Sequence, residues 1–256
     1  PIINFRVLKS RQLAAGVSIA AVLGLALYGS IFVLPIFLQQ LHGLTANQTG
    51  LVILPGAIAS AFTMAFVGRN ANRLDARVTV AIGSLLFFLS MWKLSRMTLA
   101  SGPEETFWPL ILRGVGLGLI FVPLTGAGMG DLPVRDLAQG TGMFNLTRQL
   151  GGSLGIAIMA SLLSRFTKEA KQLLTEHVTT MDPITLGRVE QVTRGLMSRG
   201  VTPALPRQEA LMVIDRQISA QASVLAFSRI YVLSGIILCC ALPLLLLLIL
   251  ARDLGW

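Results

Sequence analysis

The sequence predicts an all-α membrane protein with six transmembrane helices and a helical extramembrane loop between the fifth and sixth spans. Three observations predict it. Of 256 residues, 54% are hydrophobic and only 13% charged, with a mean hydropathy of +0.72, well outside the averages of soluble domains. Six stretches approach or exceed the roughly 20 apolar residues that cross a ~30 Å hydrocarbon layer. Those runs are continuous, whereas a membrane barrel strand alternates, so each span must be a helix that satisfies its own backbone N–H and C=O groups. A water-soluble globule, a disordered chain, a collagen-like repeat and a coiled coil are excluded together.

Taken in order, residues 1–12 form a cytoplasmic lead-in. It opens Pro1-Ile2-Ile3-Asn4 with neither initiator Met nor signal peptide, which suggests a fragment of a longer protein. Residues 13–164 hold the first five spans, at 13–38, 47–68, 78–99, 107–130 and 138–164. The connections at 39–46, 69–77, 100–106 and 131–137 are too short to fold alone, so helices consecutive in the chain run antiparallel. Residues 165–223 are polar and of mixed charge but keep helical spacing, first at Phe166, Ala170, Leu173 and Leu174, then at Val189, Val192 and Leu196. Asp182-Pro183 reads as an N-cap followed by Pro at the first helical position, and Gly200 as the stop. Residues 224–256 supply the sixth span, to 250, and a cytoplasmic tail.

Orientation follows the short loops. Arg6, Lys9, Arg11, Arg69, Arg73, Arg77, Arg135 and Arg252 all fall on one side, which is therefore read as cytoplasmic. Lys93 and Arg96 lie near the other face, and the long loop carries eight more cations from Arg165 to Arg216, but long loops weigh little in topology. Both termini are then inside and residues 165–223 outside. The net charge of +9 does not imply nucleic acid, because no basic run with interleaved aromatics occurs. Cys239 and Cys240 are adjacent in an apolar run and read as small packing residues.

No Asp or Glu lies in the central part of a span, and neither His42 nor His177 falls inside one. Ser153 in Gly152-Ser153-Leu154-Gly155 therefore lacks a membrane-embedded base, so no catalytic residue is assigned, and Cys, His and carboxylate spacing offers no metal site or cofactor. What the membrane does contain is cationic. Arg113 and Arg148 lie roughly five and three residues from the centres of their spans, where a charge costs about 2.5–3.5 kcal/mol to insert. Such residues face a bundle interior or a wet cavity. On the fifth span Thr141, Asn145, Arg148, Gly152, Gly155 and Met159 share one face, and Met143, Leu146, Leu150, Leu154 and Ala157 the other. Arg148 reads either as a structural cap or pair, or as part of a conformational mechanism. Gly114/Gly118, Gly126/Gly130 and Gly151/Gly155 are small-xxx-small pairs that let helices approach closely. Tyr28, Phe32, Pro35 and Gln39 share a face of the first span that either lines a cavity or packs around a proline kink.

These residues also carry a resemblance. Val33-Leu34-Pro35-Ile36-Phe37-Leu38-Gln39-Gln40 with Gly50-Leu51-Val52-Ile53-Leu54-Pro55-Gly56, then Arg113-Gly114-Val115-Gly116-Leu117-Gly118 with Pro123-Leu124, and above all the run from Gly140 to Gly155, resemble the EmrB/QacA drug:proton antiporters, the 14-helix branch of the major facilitator superfamily. Gly68-Arg69-Asn70-Ala71-Asn72-Arg73-Leu74-Asp75-Ala76-Arg77 is similar to the degenerate C-terminal copy of that superfamily's cytoplasmic loop motif, with Gly68, Arg73, Asp75 and Arg77 as its marks. The resemblance covers nearly the whole chain and implies the C-terminal bundle of a major facilitator fold, helices 9 to 14. It implies that the proton-coupling carboxylates lie in the missing N-terminal half. It further implies that the first and fourth helices line the cavity, the second and fifth meet the other half, and the third and sixth face outward. Tyr28, Phe32, Gln39 and Arg113 then belong to the substrate pathway, and Asn145, Arg148, Gly152 and Gly155 to the domain interface or its gating.

The leading function is a proton-coupled multidrug efflux antiporter of a bacterial inner membrane, working by rocker-switch alternating access. Its partners would be the missing N-terminal half, the lipid bilayer, hydrophobic or amphipathic small molecules, protons and, by the same resemblance, a periplasmic adaptor protein; nucleic acid is not among them. A permease subunit driven by a separate ATPase would need a cytoplasmic coupling helix, which connections of about nine and seven residues leave no room for. A non-transporting scaffold would have no use for Arg113 or Arg148 in the membrane.

Overall fold

The computed structural model describes residues 11–71, 73–129, 137–176 and 206–253. They form six helices: α1 Arg11–His42, α2 Ala46–Arg69, α3 Ala76–Ser95, α4 Pro103–Met129, α5 Leu137–Glu176 and α6 Pro206–Asp253. Among the described residues there is no strand. Among the described residues, five helical stretches are long and apolar enough to cross a membrane: Ala46–Arg69, Ala76–Ser95, Glu104–Gly126, Gln139–Thr175 and Met212–Cys240. In α1 the corresponding apolar stretch is the shorter Leu27–His42. The chain is a multi-pass helical membrane protein.

Local chemistry sets the helix ends. Gly43, with φ of 66°, follows α1, and the Leu44 N–H donates to the Leu38 carbonyl at 3.3 Å, turning the chain towards α2. Thr45 opens α2 with a reciprocal capping box: the Gln48 N–H donates to Thr45 Oγ1 at 3.3 Å, and the Thr45 N–H to Gln48 Oε1 at 2.9 Å. At the other end the Asn70 N–H and side-chain amide both donate to the Phe66 carbonyl, at 3.1 and 3.0 Å.

Two compact units divide the chain, one of Pro1–Ser161 with Ser228–Trp256 and one of Leu162–Phe227. In the first, α4 is the central helix and its glycines decide its neighbours. Gly114 and Gly118, one turn apart, bring it onto α2: a Cβ at Gly114 would run into the Gly56 carbonyl, and one at Gly118 would lie 2.7 Å from Thr63 Cβ. Gly116 points the other way, where a Cβ would sit 2.7 Å from the Gly83 carbonyl of α3. The Ser90 hydroxyl reinforces that second contact by donating to the Pro109 carbonyl at 2.6 Å. Contacts from Gly56 to Leu110 and from Thr63 to Gly118 rise together in number, so α2 and α4 run parallel, whereas α3 and α4 run antiparallel. The short connections enforce this alternation. Gly235 of α6 abuts Phe88 and Met91 of α3. Burial follows the packing, with 44% of the span buried in α3 and in α4 but 11% in α2.

In the second unit the C-terminal turns of α5 and the N-terminal turns of α6 keep one helical course each, and Lys171 pairs with Asp215 at 2.8 Å. Both helices run without a break through positions 164 and 223. The segment read as a helix between Asp182 and Gly200 lies outside the described residues.

Candidate functional site

The seam between α1 and α5 is built from small residues. A Cβ at Gly151 would collide with the Ala21 carbonyl, one at Gly155 with the Leu25 carbonyl, and one at Gly24 of α1 with the Arg148 carbonyl. Backbone therefore meets backbone along three turns, and the rising pairs show that the two helices run parallel. The face of α5 that carries Gly152, Gly155 and Met159 is the buried one, while Leu146, Leu150 and Leu154 are exposed.

Within this seam Tyr28 lies over Gly152, where a Cβ would come 2.7 Å from its Cδ2. One turn earlier on α5 is Arg148. Its guanidinium carbon stands 5.7 Å from the centroid of the Tyr28 ring and 4.8 Å from that of Phe121 on α4. Arg148 Nη2 also donates to Asn145 Oδ1 at 3.3 Å, a long bond, and its Nε is buried with no hydrogen-bond partner among the described residues. Among the described residues no carboxylate pairs with it. Two ring contacts at about 0.5–2 kcal/mol each offset much of the ~2.5–3.5 kcal/mol insertion cost of the charge, but leave its hydrogen-bonding demand unmet. The arrangement is a cation clamped across three helices, and a change in the packing of α1, α4 or α5 must alter its surroundings.

The expected pathway residues fall in separate places. Tyr28 joins the Arg148 clamp, Phe32 is half-buried on the same helix, and Gln39 is exposed near its end. Arg113, only 6% exposed, is buried inside the bundle on α4. Arg113 Nη1 and the Tyr231 hydroxyl are both buried without hydrogen-bond partners among the described residues. Asn145 is exposed beside Arg148. Sequence reading did not single out Phe121 or Tyr231, since an aromatic in an apolar span carries no local mark of what its ring will cover.

The loop-motif residues build the turn between α2 and α3. Gly68 is exposed in the last turn of α2, and the exposed Arg73 donates its N–H to the Asn70 carbonyl at 2.9 Å. Asp75 is the N-cap of α3, its Oδ1 accepting from the Arg77 N–H at 2.9 Å, and Arg77 is half-buried. Of the glycine pairs, Gly114/Gly118 and Gly151/Gly155 sit at helix contacts. Gly126 faces open space, and Gly130 lies outside the described residues.

The family model of the major facilitator superfamily matches residues 1–156. Curated relatives match across more than nine-tenths of the chain. The colistin resistance protein EmrB of Acinetobacter baumannii is 29% identical over 93% of this chain and 46% of its own length. The multidrug export protein EmrB of Escherichia coli is 27% identical over 92% and 44%. The fatty acid resistance protein FarB of Neisseria gonorrhoeae is 24% identical over 95% and 46%. The chain thus spans slightly under half the length of these relatives. An all-helical multi-pass bundle joined through glycine seams, together with a family match over well over half its residues, places this chain in the major facilitator superfamily, a family of membrane transporters and not of enzymes.

Proposed function

We propose that the chain is the C-terminal half, helices 9 to 14, of a proton-coupled antiporter that exports hydrophobic or amphipathic compounds across a bacterial inner membrane. Transport would proceed by rocking two six-helix bundles around a midplane site. The relatives named for multidrug export and for colistin and fatty acid resistance support that substrate class, and their length, about twice that of this chain, supports a preceding half. That half would hold the proton-carrying carboxylates, since the spans here contribute cations. Residues 165–223 would face the periplasm, where an adaptor protein can dock. Tyr28, Phe32, Gln39 and Arg113 are proposed for the pathway, and Asn145, Arg148, Gly152 and Gly155 for the interface or its gating.

The observation that carries the reading is the Arg148 clamp. A costly membrane cation held by two rings and one long hydrogen bond, with Nε unpartnered among the described residues, suits an element that changes partners as the bundle moves. The test is export by the full-length transporter at matched membrane abundance. Arg148→Ala should lose most export while keeping expression, and Arg148→Lys should recover only part, because Lys keeps the charge and loses the planar stacking surface. Wild-type efflux in Arg148→Ala removes the residue from the mechanism.

A further inference from the structure

A second site lies away from the clamp, on the outer face of α3. Gly116 sets α3 on the side of α4 opposite to α2, so a second half that meets α2 stands across the bundle from α3. The site therefore rests on the reading that α2, and not α3, meets the N-terminal half. The residues of α3 sort accordingly. Gly83, Phe87, Ser90, Met91 and Leu94 are buried, whereas Val78, Ile82, Leu85, Leu89 and Trp92 are exposed at intervals of three and four, forming one apolar stripe along the helix.

The stripe ends in charge. Arg96, the exposed C-cap of α3, continues it by one more turn, and its guanidinium carbon stands 4.9 Å from the centroid of the Trp92 ring. Stacking of this kind occupies the face of the guanidinium and leaves the N–H donors at its edge available. Lys93, exposed in the last turn, lies three residues before Arg96, so two cations are neighbours on the helix surface and repel each other. Glu104 and Glu105 are exposed in the first turn of the next helix, and among the described residues neither forms an ion pair with Lys93 or Arg96. A cation pair at this end also runs against the bias of the short loops, which gather Lys and Arg on the other side of the membrane. Cations in a last turn do complement the helix dipole. That use does not explain why two stand together, one of them held on a tryptophan, at the head of a lipid-facing stripe.

We propose that the outer end of α3 binds one anionic phospholipid, its phosphate between Lys93 and Arg96 and an acyl chain along Leu89 and Leu85 beneath Trp92. An exposed tryptophan at a span's end marks the membrane–water interface, which sets the two cations at headgroup level. From Trp92 to Leu85 the helix descends about 10 Å, within the ~15 Å depth of one leaflet. A phosphate between the cations replaces their repulsion with charge-assisted hydrogen bonds. Phosphatidylcholine carries the same phosphate, but its quaternary ammonium cancels the charge and donates no hydrogen bond, so the site should discriminate between the two headgroups.

Phosphatidylglycerol and phosphatidylcholine bearing the same diazirine-tagged acyl chain are added separately, in equal trace amounts, to phosphatidylcholine nanodiscs holding the full-length transporter, and the photolabelled peptides are mapped by mass spectrometry. Residues 85 to 92 should be labelled several-fold more by the phosphatidylglycerol probe. The double variant Lys93→Gln, Arg96→Gln should bring that ratio close to one without a change in melting temperature, and Lys93→Arg, which keeps the charge, should preserve it. Equal labelling of the wild type by the two probes overturns the headgroup selectivity while leaving the outward placement of α3 intact. No labelling of this segment by either probe overturns the placement itself, because protein would then cover α3. A preference that survives the double variant overturns the proposal, as does loss of the preference in excess glycerol 3-phosphate, which would assign the cations to soluble phosphates.

Discussion

Gly152→Ala tests the α1–α5 seam and the Arg148 clamp together. The new methyl would stand 2.7 Å from Tyr28 Cδ2 and 2.9 Å from Cγ, whereas non-bonded carbons rest about 3.5–4.0 Å apart. The ring must retreat by roughly 0.8 Å or the helices must part. Tyr28 is already 5.7 Å from the Arg148 guanidinium carbon, and cation–π attraction reaches only about 6 Å, so a retreat of that size dissolves the contact. Its loss costs about 0.5–2 kcal/mol, to which overpacking adds ~1–3 kcal/mol, against ~1 kcal/mol gained in helix propensity. The net is about 0.5–4 kcal/mol, enough for a drop in export of roughly 2-fold or more if the clamp sets the conformational balance. Gly142→Ala on the same helix is the control, because a Cβ there meets nothing within 4 Å. Efflux and melting temperature are measured for both in the full-length transporter at matched abundance. If Gly152→Ala matches Gly142→Ala in both, the clamp reasoning is wrong.

Gly116→Val should destabilise far more than Gly126→Val, since the first forces α4 off Gly83 and Phe87 of α3 and the second meets open space; thermal unfolding in detergent separates them. Lys171→Ala, which removes the partner of the largely exposed Asp215, should lower the melting temperature by no more than about 2–4 °C, because exposed pairs contribute roughly 1 kcal/mol at most. A cysteine at position 73, after replacement of Cys239 and Cys240, should resist an impermeant thiol reagent in intact cells, while one at 168 should react; labelling at 73 would invert the topology. Deleting residues 184–200 should impair export or adaptor co-purification, and no change in folding, export or co-purification would mark the loop as a passive connector.

Hydropathy alone determined that this chain crosses a membrane as helices, because a bilayer admits only about 20-residue apolar helices or closed barrels, and continuous apolar runs exclude the barrel. It also located Arg148 on the small-residue face of α5, since a face is a matter of spacing. The partner of a face is a different question. The spans are apolar on nearly every side, so periodicity does not say which neighbour each side will meet. Tertiary packing settled that through the glycines: Gly116 put α3 on one side of α4, Gly114 and Gly118 put α2 on the other, and the α1–α5 seam brought Tyr28 of one helix to Arg148 of another. Phe121 closed the clamp from a third helix, a position no local pattern marks. Asp75, read from sequence as part of a loop motif, acts in the structure as the N-cap of α3. A bilayer dictates the length and polarity of each segment, but contact between segments depends on where two backbones can approach, and only the assembled bundle decides that.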